Sequence, residues 1–394
     1  MKPMEGMRVL DLSHVIAGPT CGHYLAHYGA DVVKVELPGR GDVLRTGGGG
    51  KASVDEGVTV GFATVNAGKR SIVLDLKTAD GAAALLALAR DADVFIENFR
   101  PGVVERLGLG YDAVRAVNPR IVYASISGYG QEGDWGPRGA YDHVVQAFTG
   151  MMSLQGEEGD PPVKVGFPVI DAAAGMMGAQ SVLAAVLRRE RSGEGAYLDV
   201  SMVQAAVHLM LSPAVQAHHE NRDRPRPGNR GFSGSPGAAT FRCADGWIAT
   251  AANTPAQFRQ LCAALGVEDV LADDALVDVA ALSRGAGFVV PRDGAALHAR
   301  LEAAFARQQA AALEAALAER RVPAARVRSL AEFMREWAAG GLATAPVTRI
   351  EYPGGTVIDP GTGAKWDRVE PTAPGRAPRL GADTDAVLGA RRDG

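Results

Sequence analysis

Short apolar runs alternate with helical segments over the first 200 residues of the chain. The runs Met7–Asp11 and Asp31–Glu36 predict strands, and the Ala- and Leu-rich segment Thr78–Arg90 predicts a helix. Further strands are predicted at Ser71–Leu74, Asp93–Ile96, Arg120–Ser125 and Tyr197–Met202. Between the first two strands, His14–Gly22 predicts a loop and Tyr24–Tyr28 a helix. This alternation predicts an α/β fold, with a Rossmann-like large domain in which helices pack on a parallel sheet.

The longest helical pattern is Ala172–Arg191, an apolar segment whose basic last turns and following Gly193 are typical of a helix end. The composition changes at Asn221–Gly237, which is rich in Arg, Pro, Gly and Ser and therefore predicts a loop or linker. Beyond this linker the pattern predicts a hairpin made of Ala239–Arg242 and Trp247–Ala251. Helices are then predicted at Pro255–Leu265 and Ala295–Glu319.

With 394 residues the chain exceeds one ordinary hydrophobic core, so two domains are expected. We assign residues 1–220 to a large α/β domain. Residues 221–326 are assigned to a smaller α+β domain that begins with the Gly-rich linker. Residues 327–394 contain a Gly- and Pro-rich hairpin near Tyr352–Trp366, and we expect this C-terminal segment to return to the large domain.

The balance of charge narrows the classes of partner. Lys and Arg number 41 and Asp and Glu number 45, so a general attraction to nucleic acid or to an anionic membrane is not expected. The three cysteines, Cys21, Cys243 and Cys262, form no CxxC pair, which argues against a disulfide framework and a structural zinc site. The N-terminus has no apolar run long enough for a signal peptide or membrane span, and we expect a cytoplasmic protein.

Several common catalytic motifs are missing. The turn Leu12–Gly22 after the first strand lacks GxGxxG, which argues against a dinucleotide-binding enzyme. The chain also lacks a Walker A loop and a GxSxG elbow. His23 and His27 have a spacing that can bind metal, but no HExxH motif surrounds them. We therefore interpret them as two histidines on the surface of a helix, and we expect no metal site.

Asp171 directly precedes the predicted helix, at a position where Asp is one of the best N-cap residues. A purely structural cap is one interpretation. The functional interpretation uses the same physics, because a helix N-terminus lowers the pKa of a carboxylate and keeps it ionised near neutral pH. Beside the loop Gly166–Pro168, such a carboxylate could attack an activated acyl group and form a mixed anhydride. The spacing alone leaves both interpretations open.

Seven blocks of sequence bear on this choice. They are Gly6–Pro19, Gly29–Glu36, Lys69–Lys77, Asp93–Gly102, Ser127–Gly130, Asp171–Met176 with Arg191–Gly195, and Ala377–Gly381 with Thr384–Asp385. No single block is decisive, but their order along nearly the whole chain resembles the class III CoA-transferases. That family includes formyl-CoA:oxalate CoA-transferase, carnitine CoA-transferase and α-methylacyl-CoA racemase. The resemblance implies that Asp171 is the nucleophile of an enzyme acting on acyl-CoA thioesters.

The resemblance also implies a mechanism that uses no metal and no bound redox cofactor, with CoA and acyl-CoA as substrates. Asp171 would attack the donor acyl-CoA, and the released thiolate would convert the resulting anhydride into an aspartyl-CoA thioester. An acceptor carboxylate would then repeat the exchange in reverse. The family forms interlocked homodimers, and the long linkers predicted at 205–237 and 325–345 are compatible with two chains threaded through each other.

Nine residues stand at positions where the family contacts CoA, and all of them lie within the first 106 residues of the chain. They are His14, Val15, Ala17, Leu74, Lys77, Asn98, Phe99, Arg100 and Arg106. Three of them are basic and suit the phosphates of CoA. Gly139 is a departure, because it stands where a family member carries a phosphate-binding lysine. The neighbouring Arg138 is a candidate to replace that lysine.

The racemase branch of the family uses a His at the position of Tyr141 and a Glu at the position of Thr254. Neither residue suits proton removal from an α-carbon near neutral pH, so the sequence favours CoA transfer over racemisation. His143 lies two residues from the matched position, so a shift of the match by two residues would place a His there. A catalytically silent CoA-binding protein, with Asp171 only as a cap, is the third interpretation.

The acyl pocket is predicted less directly. Its candidate lining residues are Tyr141, Phe167, Phe232 and Ser233. The segment Gly228–Gly237, which includes Gly231 and Gly234, resembles the mobile glycine loop that covers the aspartyl intermediate in the family's transferases. A plain interdomain linker is the alternative. Arg138 or Arg230 could pair with a second carboxylate, which would favour dicarboxylic acids such as succinate.

Overall fold

The computed structural model describes residues 2–47, 57–340, 348–367 and 375–389. Contacts between residues divide the chain into two compact units. The large unit comprises residues 1–152, 164–222 and 342–394, and the small unit comprises residues 153–163 and 223–341. The chain therefore leaves the large unit twice and returns to it at its C-terminal end.

A six-stranded parallel sheet forms the centre of the large unit. Its strands are β1 (Arg8–Asp11), β2 (Asp31–Glu36), β3 (Arg70–Val73), β4 (Val94–Glu97), β5 (Val122–Ser127) and β6 (Ala196–Ser201). The order across the sheet is β3-β2-β1-β4-β5-β6, so the predicted parallel α/β sheet is confirmed. Because the order reverses between β1 and β4, the loops after these two strands meet at a position where doubly wound folds bind ligands.

The helices of the large unit surround this sheet. They are α1 (Ala17–His27), α2 (Val60–Asn66), α3 (Ala79–Ala89), α4 (Val103–Arg106), α5 (Tyr111–Val117), α6 (Asp142–Phe148), α7 (Val169–Ser192), α8 (Met202–Leu209), α9 (Leu211–Glu220) and α15 (Thr384–Gly389). The antiparallel strands β10 (Thr348–Tyr352) and β11 (Gly355–Asp359) form the predicted C-terminal hairpin.

Helix α1 begins at Ala17, inside the segment that the sequence predicts as a loop. The glycines that suggested a loop serve close packing instead. A Cβ atom on Gly22 would lie 2.6 Å from Oδ2 of Asp11, and one on Gly175 of α7 would lie 2.6 Å from the Ala17 carbonyl oxygen. Glycine at these positions lets α1 approach both the sheet and α7.

Helix α7 is long and apolar enough, by length and composition alone, to cross a membrane. It packs against α1, α8 and strands β5 and β6, which gives it the position of a core helix. It begins at Val169, three residues before the start that the sequence predicts. Asp171 therefore lies inside the first turn of the helix and not before it.

Buried ion pairs lie beneath the loop that follows β1. The Lys34 ammonium is 3.0 Å from Oδ2 of Asp42 and donates to the Ser13 carbonyl at 2.7 Å. The Lys69 ammonium donates to Oδ2 of Asp11 at 2.8 Å. These four charged side chains are fully buried. Burial lowers the pKa of Lys69 to about 8, and the Asp11 carboxylate opposes that shift.

The small unit is an α+β structure around the antiparallel sheet β7 (Gly237–Arg242), β8 (Trp247–Ala252) and β9 (Ala324–Arg326). Its helices are α10 (Pro255–Leu265), α11 (Val279–Arg284), α12 (Gly294–Phe305), α13 (Ala310–Glu319) and α14 (Leu330–Ala338). The single helix predicted at Ala295–Glu319 is wrong. The turn between β7 and β8 interrupts it, because Oδ1 of Asp245 accepts a hydrogen bond from the Ala310 amide at 2.7 Å.

The small unit extends beyond the segment assigned to it from sequence. Residues 153–163 join it because Arg226 donates to the carbonyls of Ser153 and Pro161. Helix α14 joins it through charged groups, since the Arg326 guanidinium contacts Glu332 at 2.6 Å. The segments predicted as long linkers also contain helices, namely the end of α8 and all of α9 within 205–237, and α14 within 325–345. Helix α8 agrees with the apolar helix that the sequence predicts from Val203. Sequence composition missed α9 and α14 because Arg, Pro and Gly dominate the neighbouring turns.

The buried pair of Lys69 and Asp11 gives a test of what holds the β1 loop. Lys69→Met would leave the Asp11 carboxylate buried without its main counter-ion, so we expect the free energy of unfolding to fall by about 3–5 kcal/mol. Arg188→Ala is the control. It removes a pair with Glu194 whose side chains are 55% and 74% exposed, and it should cost less than about 1 kcal/mol. Chemical denaturation of the full chain measures both, and equal losses would contradict the proposed role of burial.

Candidate active site

The loop after β1 is held from two sides. The His14 amide donates to Oδ1 of Asn98 at 2.8 Å, and Nδ2 of Asn98 donates back to the His14 carbonyl at 2.8 Å. The Val15 amide donates to Oδ1 of Asp42 at 3.3 Å. Val15 has a φ of 69°, which is rare for a β-branched residue. Such strain persists only where neighbouring groups enforce it, and it is frequent at binding sites.

The N-terminus of α7 is capped by a residue from another helix. Oδ2 of Asp142, the first residue of α6, accepts from the Ile170 amide at 2.7 Å and from the Asp171 amide at 3.0 Å. Oδ1 of the same carboxylate accepts from Nε2 of Gln146, which holds it in place. The prediction that Asp171 itself is the N-cap is therefore wrong. Asp142 satisfies the free amides of the first turn, and the Asp171 carboxylate does not cap them.

The pKa of Asp171 moves opposite to the direction predicted from its position. Burial, followed by the nearby negative charge of Asp142, raises it to about 7. The expected lowering by the helix end fails because Asp142 already occupies the amides that would have stabilised a second negative charge. Among the described residues, none donates a hydrogen bond to the Asp171 carboxylate. It is a partly buried, unpaired carboxylate that ionises near neutral pH.

Asp171 lies on a cleft of about 220 Å³ at the carboxyl ends of the parallel strands. The side chains and backbone of the cleft come from the loops after β1, β4 and β5 and from the first turns of α7 and α8. The lining residues include His14, Val15, Ile16, Ala17, Asn98, Phe99, Arg100, Arg138, Ala140, Tyr141, Asp171 and Met202. Six of the nine residues assigned to CoA from sequence thus lie around one cleft together with Asp171.

A second cleft of about 230 Å³ shares His14 and Phe99 with the first. Leu74 and Lys77 lie on its wall, where the sequence assigns them to CoA. The rings of His14 and Phe99 meet edge to face at 5.5 Å. Burial, with a smaller contribution from the Lys34 charge, lowers the pKa of His14 and favours the neutral ring. Arg106 ends α4 and is exposed, and it is not among the described residues that line either cleft.

Arg100 explains the departure at Gly139. A Cβ atom on Gly139 would lie 2.7 Å from an Nη2 atom of Arg100, so the guanidinium occupies the space beside this glycine. Arg138 packs its guanidinium on the Trp135 ring at 3.6 Å. Both arginines line the Asp171 cleft. The cationic side chain at this point of the cleft therefore comes from position 100 as well as from position 138.

The positions that would carry the bases of a racemase do not supply them. Tyr141 lines the cleft but is 66% exposed at the N-cap of α6. His143 is not among the described residues of the cleft. Thr254 serves as the N-cap of α10 in a capping box with Gln257. Phe167 is exposed, precedes α7 and is also absent from the described lining of the cleft.

The glycine loop lies in the small unit. Gly231 is packed tightly, because a Cβ atom there would lie 2.8 Å from the Ala238 Cβ. Gly234 has a φ of 69°, and Ser233 donates to Oδ1 of Asn253. Phe232 between them is 77% exposed. The assignment of this segment as a catalytic lid stays a prediction, and so does the role of Arg230.

Two sequence interpretations elsewhere in the large unit also change. His23 and His27 are buried and not on the helix surface, because α1 is covered by the C-terminal hairpin, whose Asp359 carboxylate contacts both rings. Asp142 is the functional residue that sequence reasoning missed. It directly follows Tyr141, which was matched to the family, and Gln146 four residues later is a local signal that its carboxylate is held.

The comparisons with known proteins agree with this geometry. The model of CoA-transferase family III matches residues 4–384. The chain belongs to this family. A structure of a CAIB/BAIF family protein from Brucella suis superposes with a TM-score of 0.83 at 28% identity and covers 99% of both chains. The resemblance to the class III CoA-transferase family that the sequence shows is confirmed.

Curated relatives carry more specific names. An acyl-CoA transferase of Fusarium pseudograminearum is 39% identical over 68% of this chain and 60% of its own length. The succinate–glutarate CoA-transferase of Agrobacterium fabrum is 38% identical over 69% of this chain and 68% of its own length. The succinyl-CoA:mesaconate CoA-transferase of Haloarcula hispanica is 39% identical over 69% of this chain and 70% of its own length. The chain thus aligns with between 60% and 70% of the length of these relatives.

The raised pKa of Asp171 predicts a pH-dependent contribution to stability. The carboxyl ionises near pH 7 in the folded chain and near about 4 in the unfolded chain. Between these values the folded state holds a proton that the unfolded state has lost, so wild-type stability falls as the pH rises. Asp171→Asn lacks the ionisable carboxyl and therefore this pH-dependent loss of stability. Its stability relative to wild type should therefore increase from about pH 4 to about pH 7 and remain constant above.

Chemical denaturation across this pH range checks the prediction. Asp112→Asn, on an exposed position of α5, is the control and should track wild type at every pH. Asp142→Asn keeps an acceptor oxygen for the α7 amides but removes the neighbouring charge, so it should lower the pKa of Asp171 measured by carboxyl-carbon NMR. Parallel pH curves for wild type and Asp171→Asn would contradict the assignment.

Proposed function

We propose that this transferase moves CoA from an acyl-CoA donor to a dicarboxylic acid acceptor, with Asp171 as the covalent carrier. The observation that supports this most directly is the unpaired Asp171 carboxylate on a cleft ringed by the residues expected to hold CoA. Because Asp142 takes the helix amides, Asp171 keeps both oxygens for chemistry. A pKa near 7 leaves a substantial fraction ionised at neutral pH, and the raised basicity makes Asp171 a better nucleophile than a strongly stabilised carboxylate.

The reaction would proceed through two exchanges. An Asp171 oxygen attacks the thioester carbonyl, CoA leaves as the thiolate, and a mixed anhydride forms. The thiolate then attacks the aspartyl carbonyl, which gives an aspartyl-CoA thioester and frees the donor acid. The acceptor carboxylate attacks this thioester and expels the thiolate. Attack of the thiolate on the acceptor carbonyl of the new anhydride yields the product acyl-CoA and restores Asp171.

The two clefts suggest how CoA would lie. The apolar second cleft, with Leu74 on its wall and Lys77 at its edge, suits the adenine ring and a phosphate. His14 and Phe99 belong to both clefts, so a ligand passing them would reach from the second cleft to Asp171. Arg100 on this path suits the pyrophosphate.

A second carboxylate on the acceptor is proposed from Arg138 and from the relatives. Two of these relatives are named for succinate, glutarate, succinyl-CoA or mesaconate. Arg138 offers a planar guanidinium on the Asp171 cleft, where it can bind a carboxylate through two hydrogen bonds. Its packing on Trp135 limits the orientations of the guanidinium before the substrate binds.

A homodimer is proposed from exposed apolar side chains. No residue of α9 or of α14 is buried within the chain. Leu211 and Val215 of α9 are each 56% exposed, and Leu330 of α14 is 76% exposed. A second copy covering these helices would remove this surface from water. Sedimentation equilibrium should therefore give twice the mass of the chain, and a monomer at micromolar concentration would contradict the proposal.

Trapping with hydroxylamine tests the covalent role of Asp171. Incubation with succinyl-CoA and hydroxylamine should convert Asp171 into a hydroxamate, because hydroxylamine attacks both the anhydride and the aspartyl thioester. Mass spectrometry of peptides locates the adduct. Asp171→Asn should show no adduct and a loss of transfer of at least about 10⁴-fold, while CoA binding measured by calorimetry persists.

The same experiment separates the alternatives. A silent CoA-binding protein would bind CoA tightly and give no hydroxamate with any acyl-CoA in a panel of donors. A racemase would exchange the α-hydrogen of a 2-methylacyl-CoA in deuterated water and would not need an acceptor acid. Asp112→Asn is the matched control for a lost carboxylate and should keep full transfer.

Two arginine variants test the acceptor. Arg138→Ala should raise the KM for dicarboxylates by about 10- to 100-fold and leave monocarboxylates unchanged, since a charge-assisted pair contributes about 1.5–3 kcal/mol. Arg100→Ala should raise the KM for acyl-CoA with either class of acceptor. Steady-state kinetics on both acceptor series measure the contrast. Arg230→Ala joins the series, and unchanged dicarboxylate turnover would remove Arg230 from the proposal.

A further inference from the structure

Two histidines and an aspartate meet in the large unit outside both clefts. His23 and His27 lie one turn apart on α1, and Asp359 is the last residue of β11. Nε2 of His27 lies 3.1 Å from Nε2 of His23 and 3.1 Å from Oδ2 of Asp359, and Nε2 of His23 lies 3.3 Å from that oxygen. The exposed fractions of the three side chains are 10%, 1% and 1%. Three atoms with lone pairs therefore form a closed, buried triangle.

Hydrogen bonds alone do not satisfy this triangle. Nδ1 of His23 faces the Ala67 carbonyl at 3.3 Å, and because a carbonyl only accepts, this nitrogen carries the proton of the neutral ring. Nε2 of His23 then directs a lone pair at the Asp359 carboxylate. Nδ1 of His27 and Oδ2 of Asp359 are buried and have no hydrogen-bond partner among the described residues.

We propose that His23, His27 and Asp359 bind a divalent transition-metal ion, with Zn²⁺ as the ion that this donor set favours. Zinc bonds to imidazole nitrogen and carboxylate oxygen are about 2.0–2.2 Å long, so ligand atoms at the corners of a tetrahedron lie about 3.3–3.5 Å apart. The three distances here are 3.1, 3.1 and 3.3 Å. The spacing is close to that of three zinc ligands, and a cation would pair with the lone pairs of the two Nε2 atoms and of Oδ2 that meet in the triangle.

The surroundings have the features of an outer shell. Metal-binding histidines usually donate their other ring nitrogen to a carbonyl or carboxylate, as Nδ1 of His23 does to Ala67. Oδ1 of Asp359 accepts from the Gly361 amide at 2.6 Å, which leaves Oδ2 for the ion. Thr348 pairs with Asp359 across the hairpin, so its side chain lies on the same face. Its hydroxyl is buried without a hydrogen-bond partner and is a candidate for the fourth ligand or for a bound water.

The ion would join two segments that are far apart in sequence. His27 and Asp359 come from α1 and from the C-terminal hairpin, and the first turn of α1 lines the Asp171 cleft through Ala17. Binding would therefore add stability to the return of the C-terminal segment and to the position of α1. The proposed site takes no part in the covalent exchange, because none of its three residues lines either cleft.

Metal binding to the full chain tests the site. The protein is made without a polyhistidine tag, freed of metal with a chelator, and titrated with Co²⁺ and Zn²⁺. We expect one ion for each chain, with the intense visible absorption of tetrahedral Co²⁺, displaced by Zn²⁺. His27→Gln and Asp359→Asn should weaken binding by at least about tenfold. His298→Gln is the matched control, because His298 also pairs with a carboxylate, Glu302, on an exposed helix face.

Thermal stability gives a second readout, and its wild-type arm does not depend on the variants. Chelation should lower the Tm of wild type and Zn²⁺ should restore it, whereas Asp359→Asn should not respond to either. If the variants do not fold, the Co²⁺ titration and the response of the wild-type Tm to chelator decide whether the site binds metal. Absence of stoichiometric Co²⁺ and Zn²⁺ binding by wild type would overturn the proposal, and so would equal binding by the His298 and Asp359 variants. That result would leave a hydrogen-bonded histidine pair with a structural role only.

Discussion

The buried charges beneath the β1 loop are the constraint on which the rest of the large unit depends. Lys34 and Lys69 carry two positive charges into the interior, and Asp11 and Asp42 balance them. Each of these charged side chains also forms a hydrogen bond with the backbone, so the network holds the loop after β1 that passes over it. Lys34 holds the Ser13 carbonyl, and Asp42 holds the amide of Val15 in its unusual conformation. Removing one of these partners would leave a buried charge without its counter-ion, so the ion pairs favour the arrangement of the loop between the two clefts.

A second constraint lies at the start of α7, where two carboxylates are close together. A helix N-terminus stabilises one negative charge well, and Asp142 takes that position by accepting two amides. Asp171 is left with a raised pKa, no hydrogen bond from the described residues, and a cleft in front of it. The arrangement separates the carboxylate that caps the helix from the carboxylate that faces the cleft. A nucleophilic role for Asp171, as proposed, would benefit from this separation, because a carboxylate that also capped its helix would lose basicity and freedom of approach.

The succession of strands and helices along the chain and the family membership were accessible from sequence, because apolar periodicity and ordered blocks are local signals. The strand β2 and the helix α10 have the bounds that the sequence predicts. Each of the other strands of the parallel sheet begins and ends within two residues of its own predicted bounds. Local sequence signals gave wrong predictions where a residue packs against a group that is distant along the sequence. Gly22 suggested a loop but lies in α1 against Asp11, and the run Ala295–Glu319 is divided by Asp245 from a neighbouring turn.

The sequence by itself determined the parallel α/β sheet, the family and the choice of Asp171 as candidate nucleophile, since each is recorded in residue types and their order. Only the tertiary structure decided the protonation of Asp171, the capping role of Asp142 and the burial of His23 and His27. These properties depend on which groups lie within a few ångströms across distant parts of the chain. Electrostatic energy and solvent exposure are functions of that distance, and spacing along the sequence does not contain it.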